Sequence, residues 1–64
     1  MLTEREREVL RLVAEGYSNG RIAEQLYISP KTASVHVSRI IAKLDVANRI
    51  EAAAAARRLG LLQP

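Results

Sequence analysis

Two amphipathic segments lie only three residues apart in the middle of this chain, and this short connection limits the fold more than any other feature. The first segment ends at about Leu26 and the second begins at Pro30. Ser29 and Pro30 form a strong helix start, because a serine side chain accepts hydrogen bonds from first-turn N–H groups and proline already has a helical φ. A connection this short must turn sharply, so the sequence predicts a helix-turn-helix with helices at about 19–26 and 30–44.

The predicted helix at 30–44 has two faces of different chemistry when its residues are placed at about 100° per position. The apolar face, which we expect to be buried, consists of Ala33, Val37, Ile40 and Leu44. The opposite face is short-chained and hydroxylated, carries cations and contains no acid; it comprises Lys31, Thr32, Ser34, Val35, Ser38, Arg39, Ala42 and Lys43. An ordinary solvated helix face would mix glutamate with lysine.

Val35 lies in the middle of that second face, where a β-branched residue lowers helix propensity and buries nothing in a monomer. In a DNA major groove it would meet a thymine methyl group, while serine, threonine, lysine and arginine reach base edges and phosphates. The alternative is that Val35 is one of the scattered apolar residues found on any protein surface. From this helix alone, both interpretations stay open.

The composition indicates one small domain with an aliphatic core. The 64 residues are 48% hydrophobic but include no phenylalanine, tryptophan or cysteine, which excludes a disulfide framework and a thiolate metal site. No run of about 18 apolar residues is present, so we expect no membrane span. The charged N-terminal stretch is unlike a signal peptide, and we therefore expect a cytoplasmic protein.

The net charge of +3 is unevenly distributed along the chain. Residues 1–30 carry a net charge of −1, whereas residues 31–64 carry +4. The basic excess thus begins where the second helix of the predicted helix-turn-helix begins, which favours a polyanionic partner. Taken alone, the same asymmetry is equally compatible with an ordinary solvated surface.

Capping residues define the start and the corner of the predicted domain. Thr3 and Glu6 have the spacing of a capping box, which predicts a first helix at about 4–15. Gly16 has the place of a helix-ending glycine with positive φ. Tyr27 lies in the corner of the helix-turn-helix, where many such turns have glycine, so we expect a positive φ there as well.

A fourth helix is predicted at about 48–59, between the capping residue Asn48 and Gly60. Its apolar positions, which we expect to face the core, are Ala52, Ala53, Ala56 and Leu59, closed by Leu61. Its other side is thin and is a candidate two-fold dimer contact formed by Ile50, Glu51, Ala54, Arg57 and Arg58. The alternative is that alanines are simply good surface helix formers. The four segments together predict an all-α, compact four-helix domain spanning residues 1–64.

A family resemblance covers nearly the whole chain and begins at residues 2–6, Leu-Thr-Glu-Arg-Glu. It continues at fixed spacing through Glu8, Val9, Leu10, Gly16, Ser18, Asn19, Ile22, Ala23, Leu26, Ile28, Ser29, Thr32, His36, Ile40, Lys43, Leu44, Val46, Arg49, Ala52, Ala56, Gly60 and Leu61. These residues resemble the LuxR-type (GerE-type) DNA-binding domain, whose opening motif is LTxRE. So many matches at fixed spacing form a far more specific signal than any single motif among them.

The resemblance implies a four-helix domain whose third helix enters the DNA major groove and whose fourth helix pairs two subunits on a dyad-symmetric site. It also implies a longer parent chain with an N-terminal sensor or receiver domain. The chain departs from the family at Gly20 and Arg21, where Lys-Glu is common, and at Ala33 and Ser34, where Val-Lys is common. Some members also carry a second cation near Ser38. The target DNA sequence therefore cannot be borrowed from a relative.

We therefore expect a transcription regulator that binds double-stranded DNA as a homodimer, without a cofactor or a metal ion. The residues expected to read bases are Lys31, Ser34, Val35, Ser38 and Arg39. The residues expected to contact phosphates are Arg5, Ser18, Asn19, Arg21, Thr32 and Lys43. The alternative is a helical protein–protein interaction module that does not bind DNA.

An enzyme is not expected, because the sequence offers no nucleophile–base pair and no paired carboxylates facing one pocket. His36, the only histidine, lies at the edge of the predicted buried stripe, with no cysteine, histidine or acid cluster within helical reach. We expect it to make a structural hydrogen bond rather than to bind a metal ion.

Overall fold

The computed structural model describes residues 1–61, so the last three positions of the expected 1–64 domain lie outside the described residues. It contains four helices in the order α1 (Glu4–Ala14), α2 (Asn19–Leu26), α3 (Pro30–Leu44) and α4 (Arg49–Arg58). The predicted all-α, four-helix fold is confirmed, and α2 and α3 have the predicted bounds. α1 ends one residue earlier than expected, and α4 is one residue shorter at each end.

α3 is the central helix, since it packs against each of the other three. α1 also packs against α4 and α2, whereas α2 and α4 do not pack against each other. The core between the helices is formed by Val9, Leu10, Val13, Ile22, Ala23, Ala33, Val37, Ile40, Ala52, Ala53 and Ala56. The predicted inner stripe of α3 is confirmed, with its last member, Leu44, half-buried. Within residues 1–61, no helix is long and apolar enough to cross a lipid bilayer.

Each helix begins at a residue whose side chain accepts a hydrogen bond from the first turn. The four capping residues are Thr3, Ser18, Ser29 and Asn48. At α1 the predicted capping box is complete, because Glu6 N–H donates to Thr3 Oγ1 at 3.1 Å and Thr3 N–H donates to Glu6 Oε1 at 2.9 Å. Such caps stabilise short helices, which have little stability of their own.

Each helix is also followed by a residue in the left-handed conformation. The four residues and their φ values are Gly16 (91°), Tyr27 (57°), Asp45 (57°) and Gly60 (70°). In every case the next residue donates its N–H to the carbonyl five positions earlier, as in a Schellman motif. The positive φ expected at Tyr27 is confirmed, and Asp45 is a second non-glycine residue in this strained conformation.

The inner face of α4 differs from the predicted one. Leu59, expected in the core, is 58% exposed, whereas Ala55 is buried. The difference follows from where the helix ends, because the chain turns at Gly60 and the turn brings Leu61 rather than Leu59 against the core. The buried side of α4 therefore consists of alanines alone, which let the helix lie close to α1.

His36 does not form the expected structural hydrogen bond through Nδ1. The residue is half-buried on α3, and its Nδ1 atom is buried without a hydrogen-bond partner among residues 1–61. The expected structural hydrogen bond is therefore not made by this atom. In the same residues, no group of three or more histidine, cysteine, aspartate or glutamate side chains is placed to hold a metal ion.

Tyr27→Gly should stabilise the protein by about 0.5–1 kcal/mol, because glycine relieves the cost of the left-handed conformation. The ring contributes little packing, since Tyr27 is 95% exposed. Urea denaturation followed by circular dichroism measures the change. Asp45→Gly is the matched comparison and should gain less, because aspartate tolerates a positive φ better than tyrosine. A stability loss in Tyr27→Gly would show that the ring does more than occupy the corner.

Candidate nucleic-acid interface

The outward face of α3, the five positions expected to read bases, is exposed to solvent. Its members are Lys31, Ser34, Val35, Ser38 and Arg39, and all are exposed. Val35 keeps 42% of its surface accessible although it is apolar and β-branched. The face thus presents one apolar group between hydroxyls and cations. The exposure is confirmed, while the contact with bases stays a prediction.

The two cations of the outward face are not neutralised within the protein. Neither Lys31 nor Arg39 has a carboxylate within ion-pair distance in the part of the chain that the structure describes. No acid lies on α3 itself. This side of the helix therefore carries positive charge without a neighbouring acid on the same helix, which favours a polyanion.

The N-terminal end of α3 holds a pair of hydroxyl groups. Ser29 Oγ accepts a hydrogen bond from Thr32 N–H at 3.1 Å and donates one to Thr32 Oγ1 at 2.9 Å. Because Oγ1 already accepts this bond, the hydroxyl proton of Thr32 is free to donate outward. This free hydroxyl proton is suited to donate to an anionic oxygen.

The first turn of α2 also offers hydrogen-bond donors. Ser18 Oγ accepts from Arg21 N–H at 3.2 Å, and the N–H groups of Asn19 and Gly20 have no acceptor within the helix. The space beside Gly20 is open, because a Cβ there would meet only Ser18 Oγ, at 3.9 Å. This end of α2 therefore has the geometry that binds anions in many proteins.

Arg5 and Arg21 are loosely paired on the surface. Each lies one helical turn from a glutamate, with Arg5 Nη1 3.6 Å from Glu8 Oε1 and Arg21 Nε 3.7 Å from Glu24 Oε1. The Arg21 guanidinium also lies 5.2 Å from the centre of the Tyr17 ring. Exposed pairs of this kind are weak, so a phosphate can replace the carboxylate at either arginine.

Lys43, in contrast, is already bonded to other residues of the protein. Its Nζ donates to Glu6 Oε1 at 2.8 Å and to the Met1 carbonyl at 3.3 Å. Glu6 is buried, yet the hydrogen bond from Lys43 and a further one from the Thr3 N–H hold the pKa of its carboxyl below the ordinary value. Glu6 is thus both the predicted cap and the anchor of the last turn of α3. No local sequence pattern predicts the Lys43–Glu6 pair, because the two residues are 37 positions apart.

The side of α4 expected to form a dimer contact contains both free and occupied residues. Ile50 is 77% exposed, and Ala54 and Arg58 are exposed beside it. Glu51 Oε1 accepts from the Ala47 N–H at 2.9 Å, and Arg57 Nη2 donates to the Ala14 carbonyl at 2.7 Å. Glu51 and Arg57 therefore also fix the two ends of α4. The contact between two copies stays a prediction.

Arg49 lies near the interface, but the sequence patterns predicted no functional contact for it. Its guanidinium donates from Nη1 to Asn19 Oδ1 and from Nη2 to the Tyr17 carbonyl, both at 2.7 Å. One signal was available, because a cation at the first position of a helix is unfavourable for the helix dipole unless it has another partner.

Glu6→Gln should destabilise the protein by about 1 kcal/mol near neutral pH, because glutamine keeps the capping box but loses the ion pair with the partly exposed Lys43. The pKa of Glu6 is lowered in the folded state. Its contribution is therefore present at neutral pH and is lost as the pH falls through the folded-state pKa. Urea denaturation at pH values of about 7 and about 3 measures the difference between the two proteins. This difference should shrink in acid, and an unchanged difference would contradict the assignment.

Comparison with known proteins places the chain among bacterial regulators. The family model described as "Bacterial regulatory proteins, luxR family" matches residues 1–56. The response regulator protein VraR of Staphylococcus aureus, like that of Staphylococcus epidermidis, is 49% identical over 63 residues, which cover 98% of this chain and 30% of that protein. A solved structure described as "Structure of Transcription factor, GerE" has a TM-score of 0.86 at 45% identity and covers 94% of this chain and 90% of that one. The chain spans less than a third of the length of the curated relatives it matches.

Proposed function

The chain belongs to the luxR family of bacterial regulatory proteins, a family of helix-turn-helix DNA-binding domains of transcription regulators, and from this premise we propose that α3 enters the DNA major groove. The observation that carries the proposal is the outward face of α3, which is exposed and lies on a helix without acids. Val35 meets a thymine methyl group there, and the base edges are read by Lys31, Ser34, Ser38 and Arg39.

Phosphate contacts on both sides of the groove hold α3 in register. The donors are the first turn of α2, the hydroxyl of Thr32 and the weakly paired arginines; the proposed residues are Arg5, Ser18, Asn19, Arg21, Thr32 and Lys43. Lys43 takes part with its third ammonium hydrogen, because Glu6 and the Met1 carbonyl accept only two. Such contacts fix orientation on the duplex and carry no sequence information.

Two copies pair through α4 on a dyad-symmetric site, with half-sites about one helical turn, or about 10 bp, apart. The exposed Ile50 beside Ala54 supports this, because an isoleucine with most of its surface in water gains from an apolar partner. The proposed contact consists of Ile50, Glu51, Ala54, Arg57 and Arg58. Since the response regulator relatives are more than three times longer, we further propose a parent chain with an N-terminal receiver or sensor domain. Because the proposed partner is DNA, we also propose that the protein acts in the cytoplasm.

Val35→Glu should lower the affinity for a cognate duplex by about 100-fold, because it sets a carboxylate against the bases and phosphates. Folding should be preserved, since Val35 is partly exposed and glutamate has the higher helix propensity. The measurement is a fluorescence titration with a duplex selected from a random pool. The control is Arg11→Gln, an exposed position on α1 outside the interface, which changes the net charge by the same amount and should leave the affinity within about twofold.

Titration of the unmodified protein at two salt concentrations separates this function from a protein-binding module. A DNA-binding domain loses affinity steeply with salt, because phosphate contacts release counterions. Binding that is absent even at low salt would leave the protein–protein alternative, whereas duplex binding unchanged in Val35→Glu would place the DNA contact away from the outward face of α3.

Ile50→Glu should abolish cooperative occupancy of two adjacent half-sites while leaving single half-site binding within about threefold. Two carboxylates would face each other across the two-fold axis, which costs several kcal/mol. Sedimentation velocity of protein–duplex mixtures counts the bound copies. Leu59→Glu is the control, an exposed apolar residue at the opposite end of α4 that lies outside the proposed contact. Pairing that survives Ile50→Glu would place the dimer elsewhere.

A further inference from the structure

One side chain ties α4 to α2, two helices that do not pack against each other. The Arg49 guanidinium reaches from the first turn of α4 to Asn19 Oδ1 and to the Tyr17 carbonyl, with both donor–acceptor distances at 2.7 Å. Arg49 and Asn19 are half-buried, and 30 positions separate them in the sequence. The two bonds fix the plane of the guanidinium, because the Tyr17 carbonyl and the Asn19 amide hold it from two nitrogens, and one of these bonds holds the Asn19 side chain in turn.

The bond from Arg49 decides which end of the Asn19 amide faces other partners. The oxygen is occupied by a cationic donor, and a flipped amide would bring an NH₂ group against the guanidinium, where both are donors. The Nδ2 hydrogens are therefore the part of the side chain left for a further contact. They are donors only, which is the chemistry that a phosphate oxygen needs.

We propose that Arg49 is a positioning residue for DNA binding. It holds the Asn19 amide with its NH₂ group available to a phosphate and so links α4 to the phosphate contact of α2. This inference rests on the proposed function. Arg49 itself touches no DNA. Because its neighbour Ile50 belongs to the proposed dimer contact, the same turn of α4 serves both the pairing of copies and the phosphate contact.

A double-mutant cycle between Arg49→Lys and Asn19→Ala tests the proposal. Lysine keeps the charge but cannot donate both bonds in a fixed plane. Each single variant should lose about tenfold in duplex affinity, as expected for one hydrogen bond to a charged group. The double variant should also lose about tenfold, rather than the roughly 100-fold expected for independent sites. Affinities are measured below the unfolding temperature of every variant, with Arg11→Gln as the control.

The outcomes separate this inference from the function on which it rests. A purely structural role of Arg49 predicts a lower melting temperature and independent, multiplying losses of affinity, which would overturn the positioning role and leave DNA binding intact. A wild-type chain that fails to bind any duplex would overturn the proposed function, and the positioning role with it. Non-multiplying losses support the proposal.

Two further measurements keep the test sharp if Arg49→Lys unfolds. Asn19→Asp retains an oxygen for Arg49 and is favourable at a helix N-terminus, so it should fold at least as stably as the wild type and lose more than tenfold in affinity. Unchanged affinity would overturn the proposal. In the wild type, the side-chain amide of Asn19 should give the heteronuclear NOE of a rigid group, and a freely mobile amide would overturn it equally.

Discussion

The left-handed turn at Tyr27 is the constraint on which the geometry of the interface depends. It ends α2, sends the Ile28 N–H back to the Ala23 carbonyl and packs the Ile28 side chain against the core. Ser29 and Pro30 then start α3 at once. With only three residues between the helices, the direction of α3 is set before its own packing is considered, and its aliphatic stripe can meet α1 and α4 only with the opposite side facing outward.

Two acids of the chain, Glu6 and Glu51, stabilise helices without facing that outward side. Glu6 is buried as a cap and as the partner of Lys43, and Glu51 accepts from the N–H that precedes α4. Both lie in the first turn of a helix, where a negative charge is favourable. The basic character of α3 therefore does not require a large net charge. It results from distribution, since the same charges scattered over the surface would produce a much weaker local field.

Local chemistry explains which parts of the fold the sequence predicts well. The bounds of α2 and α3 follow from Ser18, Ser29 and Pro30, because caps act over three or four residues and are visible in a short window. Helical periodicity likewise predicts the buried stripe of α3. It fails at Leu59, since a period describes a continuing helix and this helix ends one residue earlier.

The contacts that complete the candidate site are of a different kind. The Lys43–Glu6 contact joins residues 37 positions apart, and the Arg49–Asn19 contact joins residues 30 positions apart. No periodicity or cap relates the members of either pair. A charged side chain finds its partner only after the helices have packed, so its role depends on tertiary distances of a few ångströms. The exposed face of α3 could be predicted because it lies opposite an apolar stripe that follows helical periodicity. The two long-range contacts could not be predicted in this way.

The small side chains of α4 are related to one of these long-range contacts, that of Arg49. Four of its alanines are buried, which lets α4 pack closely against α1, and in this position Arg49 bonds to both Asn19 and the Tyr17 carbonyl. Ile50, the next residue, points to solvent. Any displacement of α4 by a second copy would thus act directly on the guanidinium that holds α2. By linkage, a phosphate bound to α2 would change the free energy of such a displacement by the same amount as the displacement changes phosphate binding. A second copy that kept α4 in its present position would therefore favour DNA binding, and one that moved α4 would oppose it.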